Sequence, residues 1–173
     1  MSADVHRAVV RRFVEDGVGR GDLAVLQELA APECVDHAAR AHGGDGLAAV
    51  AAVAVEWHAA CPDFRLTVED LVAEGEWVVV QATLRGTHRG DFFGLPPTGR
   101  PLAVDGLARY RVAGGRIVEC WAYLDVVALC AQLGVPALPP RLRGRRARPR
   151  PAPGGPVGGP GRWPRRCWRP RAS

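Results

Sequence analysis

Three strand-like runs follow one another without interruption from Trp77 to Leu124, and they restrict the possible folds more than any other feature of the chain. The first is Trp77-Val-Val-Val-Gln-Ala-Thr-Leu-Arg-Gly-Thr-His88, the second runs from Pro101 to Val112, and the third is Arg116-Ile-Val-Glu-Cys-Trp-Ala-Tyr-Leu124. They are rich in Val, Thr, Ile, Trp and Tyr, the residues that suit a pleated, half-buried surface. Gly94-Leu-Pro-Pro-Thr-Gly99 separates the first two. Its prolines remove backbone donors and its glycines permit unusual dihedrals, so it predicts a loop. Ala113-Gly114-Gly115 between the last two is a tight hairpin signal. Three antiparallel strands in a row make the wall of a curved sheet.

Alternation predicts which side of that wall is inside. In the second run Leu102, Val104, Gly106, Ala108, Tyr110 and Val112 share one face, and Asp105, Arg109 and Arg111 share the other. A one-residue slip exchanges the two sets, so the first set is the interior. In the third run Val118, Cys120, Ala122 and Leu124 fall together. Ile117, Glu119, Trp121 and Tyr123 form the opposite, amphipathic row, which is expected to face outward and to meet a second subunit.

The flanking segments supply helices. Val5 to Val18 carries Val5, Val9, Val10, Phe13 and Val14 at helical spacing, with Asp4 to cap it and Gly17 or Gly19 to end it. Asp22 caps a short helix through Leu29, Pro32 breaks it, and Cys34 to Ala38 is a short strand. Asp45 is placed to cap a helix from Leu47 to Ala60. Phe64 to Val72 alternates as a strand and turns through Glu74-Gly75 into Trp77. Val126 to Leu133 is a last helix, stopped by Gly134 and Pro136. Helices first and then a curved antiparallel sheet predict an α+β fold, a cone-shaped sheet packed against about three N-terminal helices.

Composition divides the 173 residues at about residue 138. The formal charge of +5 is unevenly spread, because residues 141–173 hold 11 of the 23 basic residues and no acid. The remainder of the chain has 12 basic residues against 18 acids. Every basic residue is Arg, which together with the abundance of Ala, Gly and Pro reflects a GC-rich coding sequence. Ten of the 15 prolines lie from Pro136 onward. A segment so poor in apolar residues cannot offset its ordering entropy, so residues 139–173 are expected to be disordered and dispensable for the fold. Nucleic-acid binding is not expected beyond what this Arg-rich arm, with Trp163 and Trp168, could offer. The charges within Met1–Arg20 argue against a signal peptide, and no apolar run is long enough to span a membrane. Cys34, Cys61, Cys120, Cys130 and Cys167 form no CxxC pair, so they predict buried thiols in a reducing cytoplasm, without a metal site.

The stretch Gly86-Thr-His-Arg-Gly-Asp-Phe-Phe-Gly-Leu-Pro-Pro-Thr-Gly-Arg100 resembles the signature loop of SnoaL-like polyketide cyclases, the ester cyclase branch of the nuclear transport factor 2-like superfamily. Gly106, Tyr110-Arg-Val112, Gly115-Arg-Ile-Val-Glu119, Trp121, Asp125 and Gln132-Leu-Gly134 continue the resemblance in order, and Pro62 to Leu71 fits upstream. It extends from about Asp4 to Val135. It implies an enzyme without a cofactor that closes a ring of an aromatic polyketide ester by intramolecular aldol condensation. It also implies a homodimer or homotetramer. Members of such a family include hydroxylase components, and a ligand-binding protein on the same fold is a further alternative. The family's acid/base group is an aspartate that directly follows the tryptophan of the third run. Here Trp121 is followed by Ala122, and the facing interior position is Ala108.

The acid/base candidates are therefore Asp125, His88 and His37. Asp125 fits the second aspartate of a Trp-x-x-x-Asp pattern and also stands where a helix N-cap belongs. His88 ends a strand at the loop, where it could be a base or could hydrogen-bond the loop backbone. Of Asp36 and His37, neighbours on a strand, only one can face the pocket. Tyr110, Trp57, Phe13, Ala108, Ala122 and Trp121 are the expected pocket residues. His6 and His42 read as surface residues.

Overall fold

The computed structural model describes residues 2–38, 46–92 and 94–135. The Arg- and Pro-rich tail, Asp45, His42 and Cys167 lie outside the described residues. Helix α1 spans Ala3–Arg12 and is capped by the Ser2 hydroxyl, which accepts the Val5 N–H at 3.4 Å. Asp4, expected as the cap, sits in the first turn and pairs with Arg7 at 2.7 Å. The helix widens into a π-helical segment, Phe13–Val18, that carries Phe13 and Val14 into the core. Gly17 within it has no room for a side chain, since a Cβ would lie 2.5 Å from Leu26 Cδ2. Helix α2, Leu23–Leu29, begins at Asp22, whose carboxylate accepts the N–H groups of Ala24 and Val25. Strand β1, Ala30–Asp36, starts four residues before its expected first residue, Cys34. Helix α3 runs Gly46–Ala60.

Strands β2 (Arg65–Glu74), β3 (Trp77–Thr87), β4 (Pro101–Ala113) and β5 (Arg116–Leu124) then form an antiparallel meander. Strand β1 adds to β5 in parallel, so the sheet order is β1-β5-β4-β3-β2. Helix α4, Val126–Leu133, follows and ends on Gly134 in the left-handed region. Among the described residues the result is a mixed α+β fold of four helices and one curved five-stranded sheet. Among the described residues no helix is long and apolar enough to cross a membrane.

The interior row of β4 is as alternation requires: Leu102, Val104, Tyr110 and Val112 are buried, and Asp105 and Arg109 are exposed. Strand β5 departs from simple alternation. Val112 pairs with Ile117 but Arg111 pairs with Glu119, so Val118 is an extra residue, a β-bulge. The bulge reverses the parity below it, and Ile117, expected on the outward row, is fully buried in the core. His6, expected at the surface, is also buried, and its Nδ1 lies 2.9 Å from the Gly75 carbonyl oxygen in the β2–β3 turn.

Two apolar clusters fill the concave side. One joins Val10, Phe13, Leu26 and Leu29 to Val78, Val80, Tyr110, Val112 and Ile117. The other joins Ala60, Phe64, Leu84, Phe92, Val104, Leu129 and Leu133.

Candidate active site

A cavity of about 330 Å³ opens between these two clusters. Its helical side is Phe13, Val14 and Val18 from the π-helical segment and Val50, Val53 and Trp57 from α3. Phe64 and Phe92 flank Trp57, with ring centroids 5.3 Å and 4.5 Å away. The sheet side is built in rungs. Val78, Tyr110, Cys120 and Asp36 stand in register across β3, β4, β5 and β1. On the next rung Val80 faces Ala108, which faces Ala122, and on the one after it Ala82 faces Gly106, which faces Leu124. The small residues of those two rungs leave the free volume, and the polar groups lie at its inner end.

Asp36 and His37 part company at the end of β1. Asp36 pairs with inward-facing Cys120 in a parallel register, is buried and lines the cavity. Its carboxylate accepts the Ala38 N–H at 2.9 Å. His37 points the other way. Its imidazole stacks on Trp121, with centroids 3.9 Å apart, and its Nε2 lies 2.9 Å from Glu119 Oε1. Hydrogen bonds from His37 and then Arg111 hold the Glu119 carboxyl below its ordinary pKa. Trp121, expected in the pocket, is on this outer face as well: the Arg109 guanidinium sits 4.1 Å from its ring and 4.5 Å from that of Trp77. Alternation accounts for the placement, since Trp121 lies between inward-facing Cys120 and Ala122.

His88 is fully buried one layer behind the wall, edge-on to Phe92 with centroids 6.2 Å apart. Its backbone N–H donates to Arg100 O and its carbonyl accepts from Gly99 N, which closes the base of the 88–100 loop. Its Nδ1 accepts the Thr98 N–H at 3.2 Å and lies 3.0 Å from the Thr98 hydroxyl. Burial lowers the imidazole pKa, against smaller upward pulls from Asp91 and the Gly90 carbonyl. This histidine fastens the loop and does not line the cavity. The loop is also pinned to the end of α3, where the Ala60 carbonyl accepts both Arg89 and Gly90 N–H at 2.8 Å. A Cβ on Gly90 would stand 2.1 Å from the Ala59 carbonyl oxygen.

Asp125 caps α4 by accepting the Ala128 N–H at 2.9 Å. It borders an open groove of about 420 Å³ on the outer side of the sheet, with Gln81, Asp105, Leu107 and Tyr123. The structure thus brings none of Asp125, His88 and His37 to the cavity wall. It brings Phe13, Trp57, Ala108, Tyr110 and Ala122 there, together with Asp36.

Tyr110 meets Phe13 edge-on at 5.7 Å. Burial, and after it the neighbouring Cys120 and Asp36, raise the phenol pKa, so Tyr110 stays a neutral hydrogen-bond donor. A hydrogen bond with Cys34, burial and the Asp36 carboxylate push the Cys120 thiol far above its ordinary value. Among the described residues no group of three or more His, Cys, Asp or Glu is placed to hold a metal ion. The arrangement is an apolar slot with one carboxylate and one neutral phenol at its inner end, able to hold a flat hydrophobic molecule and to exchange a proton with it.

Comparison with known proteins agrees with this geometry. Residues 8–133 match the family of SnoaL-like polyketide cyclases. The aklanonic acid methyl ester cyclase DauD of Streptomyces sp. (strain C5) is 30% identical over 134 residues, 74% of this chain and 81% of that relative. The crystal structure of IdmH from Streptomyces antibioticus, a candidate polyketide cyclase, is 36% identical with a TM-score of 0.65, over 75% of this chain and 99% of that one. AclR from Streptomyces galilaeus, a candidate hydroxylase, is 25% identical with a TM-score of 0.68, over 82% of this chain and 88% of that one.

Proposed function

The chain belongs to the SnoaL-like polyketide cyclase family, and from that membership we propose that it closes a ring of an aromatic polyketide ester by cofactor-independent intramolecular aldol condensation. The observation that carries the reading is the cavity: apolar on nearly all sides, at the small end of the usual range for ligand sites, with Asp36 and Tyr110 on one rung of its sheet wall. An aldol closure needs the ester and the ketone held within bonding reach, water kept from the carbanion, and a proton moved twice. The walls from Phe13, Trp57, Phe64 and Phe92 suit a planar ring system and exclude water. The neutral Tyr110 hydroxyl suits an oxygen on which negative charge develops.

The reaction is an isomerisation, so its product has the mass of its substrate. The experiment is incubation of the full-length protein with aklanonic acid methyl ester, followed by chromatography and mass spectrometry. A new species of unchanged mass is expected. A product heavier by one oxygen would support a hydroxylase instead, and binding without turnover would support a ligand-binding protein.

The same reading makes the protein a homodimer through the outer face of the sheet. Val79, Leu107 and Tyr123 are exposed there, beside the Trp77–Arg109–Trp121 stack. Arg85, Arg109 and Arg111 alternate on that face with Glu69, Glu76 and Glu119, a mixture that a second copy could complement.

A further inference from the structure

We propose that Asp36 is the group that removes and returns the proton in this cavity, supplying from β1 the carboxylate that Ala122 does not supply on β5. The inference rests on the cyclase reading above for the identity of the carbon acid. Among the described residues lining the cavity, Asp36 is the one carboxylate, and Arg and His are absent from them. Its direction follows from register. It pairs with Cys120, which in turn pairs with Tyr110, and all three are buried on the inner side of the sheet. The bond from Ala38 N–H fixes one carboxylate oxygen at the strand end, as a base that must meet a substrate in one orientation requires.

The neighbouring rung offers only the methyl groups of Ala108 and Ala122. An aspartate at position 122 would fill part of the slot. With alanine there, a substrate can lie deeper against the sheet, within reach of the next rung inward, where Asp36 stands. The loss of the carboxylate on β5 and its presence on β1 are therefore two halves of one geometry.

The step balances without an added reagent. The Asp36 carboxylate takes the proton from the carbon between ester and ring, breaking a C–H bond whose electron pair spreads into the adjoining carbonyl and aromatic system. That carbon then forms a C–C bond to the ketone carbon, and the ketone π electrons pass to its oxygen. The protonated Asp36 returns the proton to this oxygen and leaves a tertiary alcohol.

The test separates proton removal from ring closure. The probe is the methyl ester of an anthraquinone acetic acid that lacks the side-chain ketone, so it can lose the proton but cannot cyclise. In deuterated buffer the wild-type protein is expected to exchange that proton. Asp36→Asn, which keeps an acceptor for Ala38 N–H, should slow exchange by roughly 10²–10⁴-fold. Its affinity for the probe should stay within about threefold and its melting temperature should not change. Asp125→Asn should exchange as fast as wild type, and Ala122→Asp added to Asp36→Asn should restore part of the rate. If Asp36→Asn proves unstable, Asp36→Ser keeps an oxygen at the strand end and serves in its place. Exchange at the wild-type rate in a folded Asp36 variant overturns the proposal, and so does absence of exchange in the wild type. Exchange without closure of the ketone-bearing ester would remove the cyclase reading and leave Asp36 as the base. Closure that is undiminished in Asp36→Asn would do the reverse.

Discussion

Burial at His88 fixes the sign of a pH effect. Its folded pKa lies below the ordinary 6.5. Between the two values the unfolded chain carries a proton that the folded chain does not, so stability falls as pH drops from 6.5 through the folded pKa and levels off below it. The wild-type melting temperature should therefore decline as pH falls from about 7 through and below 6.5. His88→Gln cannot titrate and should lose that decline. Calorimetry across that range checks both effects. A decline of equal steepness in wild type and variant would show that His88 is not its source. His88 also shows how far single residues were legible. Its place at the end of a strand was readable, and so was the choice between base and loop fastener. The contact that ties it to the loop is with Thr98, ten positions along, which no local pattern connects to it. Asp125 was legible as a cap because capping is a local matter of a few residues. Asp36 was legible only as one of two alternatives, because its direction depends on Cys120, far away in sequence.

At the scale of elements, Val118 separates what alternation could tell from what it could not. Strand β4 has no irregularity opposite β3, and every interior residue read from its period of two is interior in the structure. Strand β5 contains one unpaired residue, and the period fails beneath it. The bulge predicts an inverted order of mutational costs. Ile117→Ala should destabilise by roughly 2–5 kcal/mol, as for a fully buried side chain, although alternation alone places Ile117 outside. Val118→Ala, at a half-buried bulge position, should cost about 1 kcal/mol or less. Denaturant melts of the two variants decide it, and a larger loss at Val118 would mean that the strand runs without the bulge. The bulge serves the site as well. It lets Ile117 fill the core under Val112 while Cys120 and Ala122 still face the cavity. The π-helical segment acts in the same way on the opposite wall, since one widened turn brings Phe13, Val14 and Val18 to bear on the same space.

At the scale of the whole molecule, the two faces of the sheet are expected to do different things. The concave face holds the cavity. The convex face carries Leu107 and Tyr123, 56% and 70% exposed and in register with each other at the centre of the sheet, a patch that a second copy would cover. Sedimentation of the full-length protein should give a dimer at micromolar concentration. Leu107→Glu with Tyr123→Glu should give a folded monomer, because two carboxylates on each copy would face each other across the interface. A wild-type monomer would contradict the assembly. The overall architecture was legible in the sequence because helices and strands occupy separate stretches of the chain and each obeys its own period. The parallel addition of β1 was not, since it joins segments that only the finished fold brings together. The distribution of tryptophan over the two faces has an optical consequence. Trp57 lines the cavity, and an anthraquinone that stacked on it would extinguish its emission by contact and energy transfer. Trp77 and Trp121 lie across the sheet, tilted against each other under one guanidinium, where their emission responds to whatever covers that face. With Trp57, Trp163 and Trp168 replaced by Phe, the light that remains follows assembly rather than the contents of the cavity; with Trp77, Trp121, Trp163 and Trp168 replaced instead, one titration follows occupancy through Trp57.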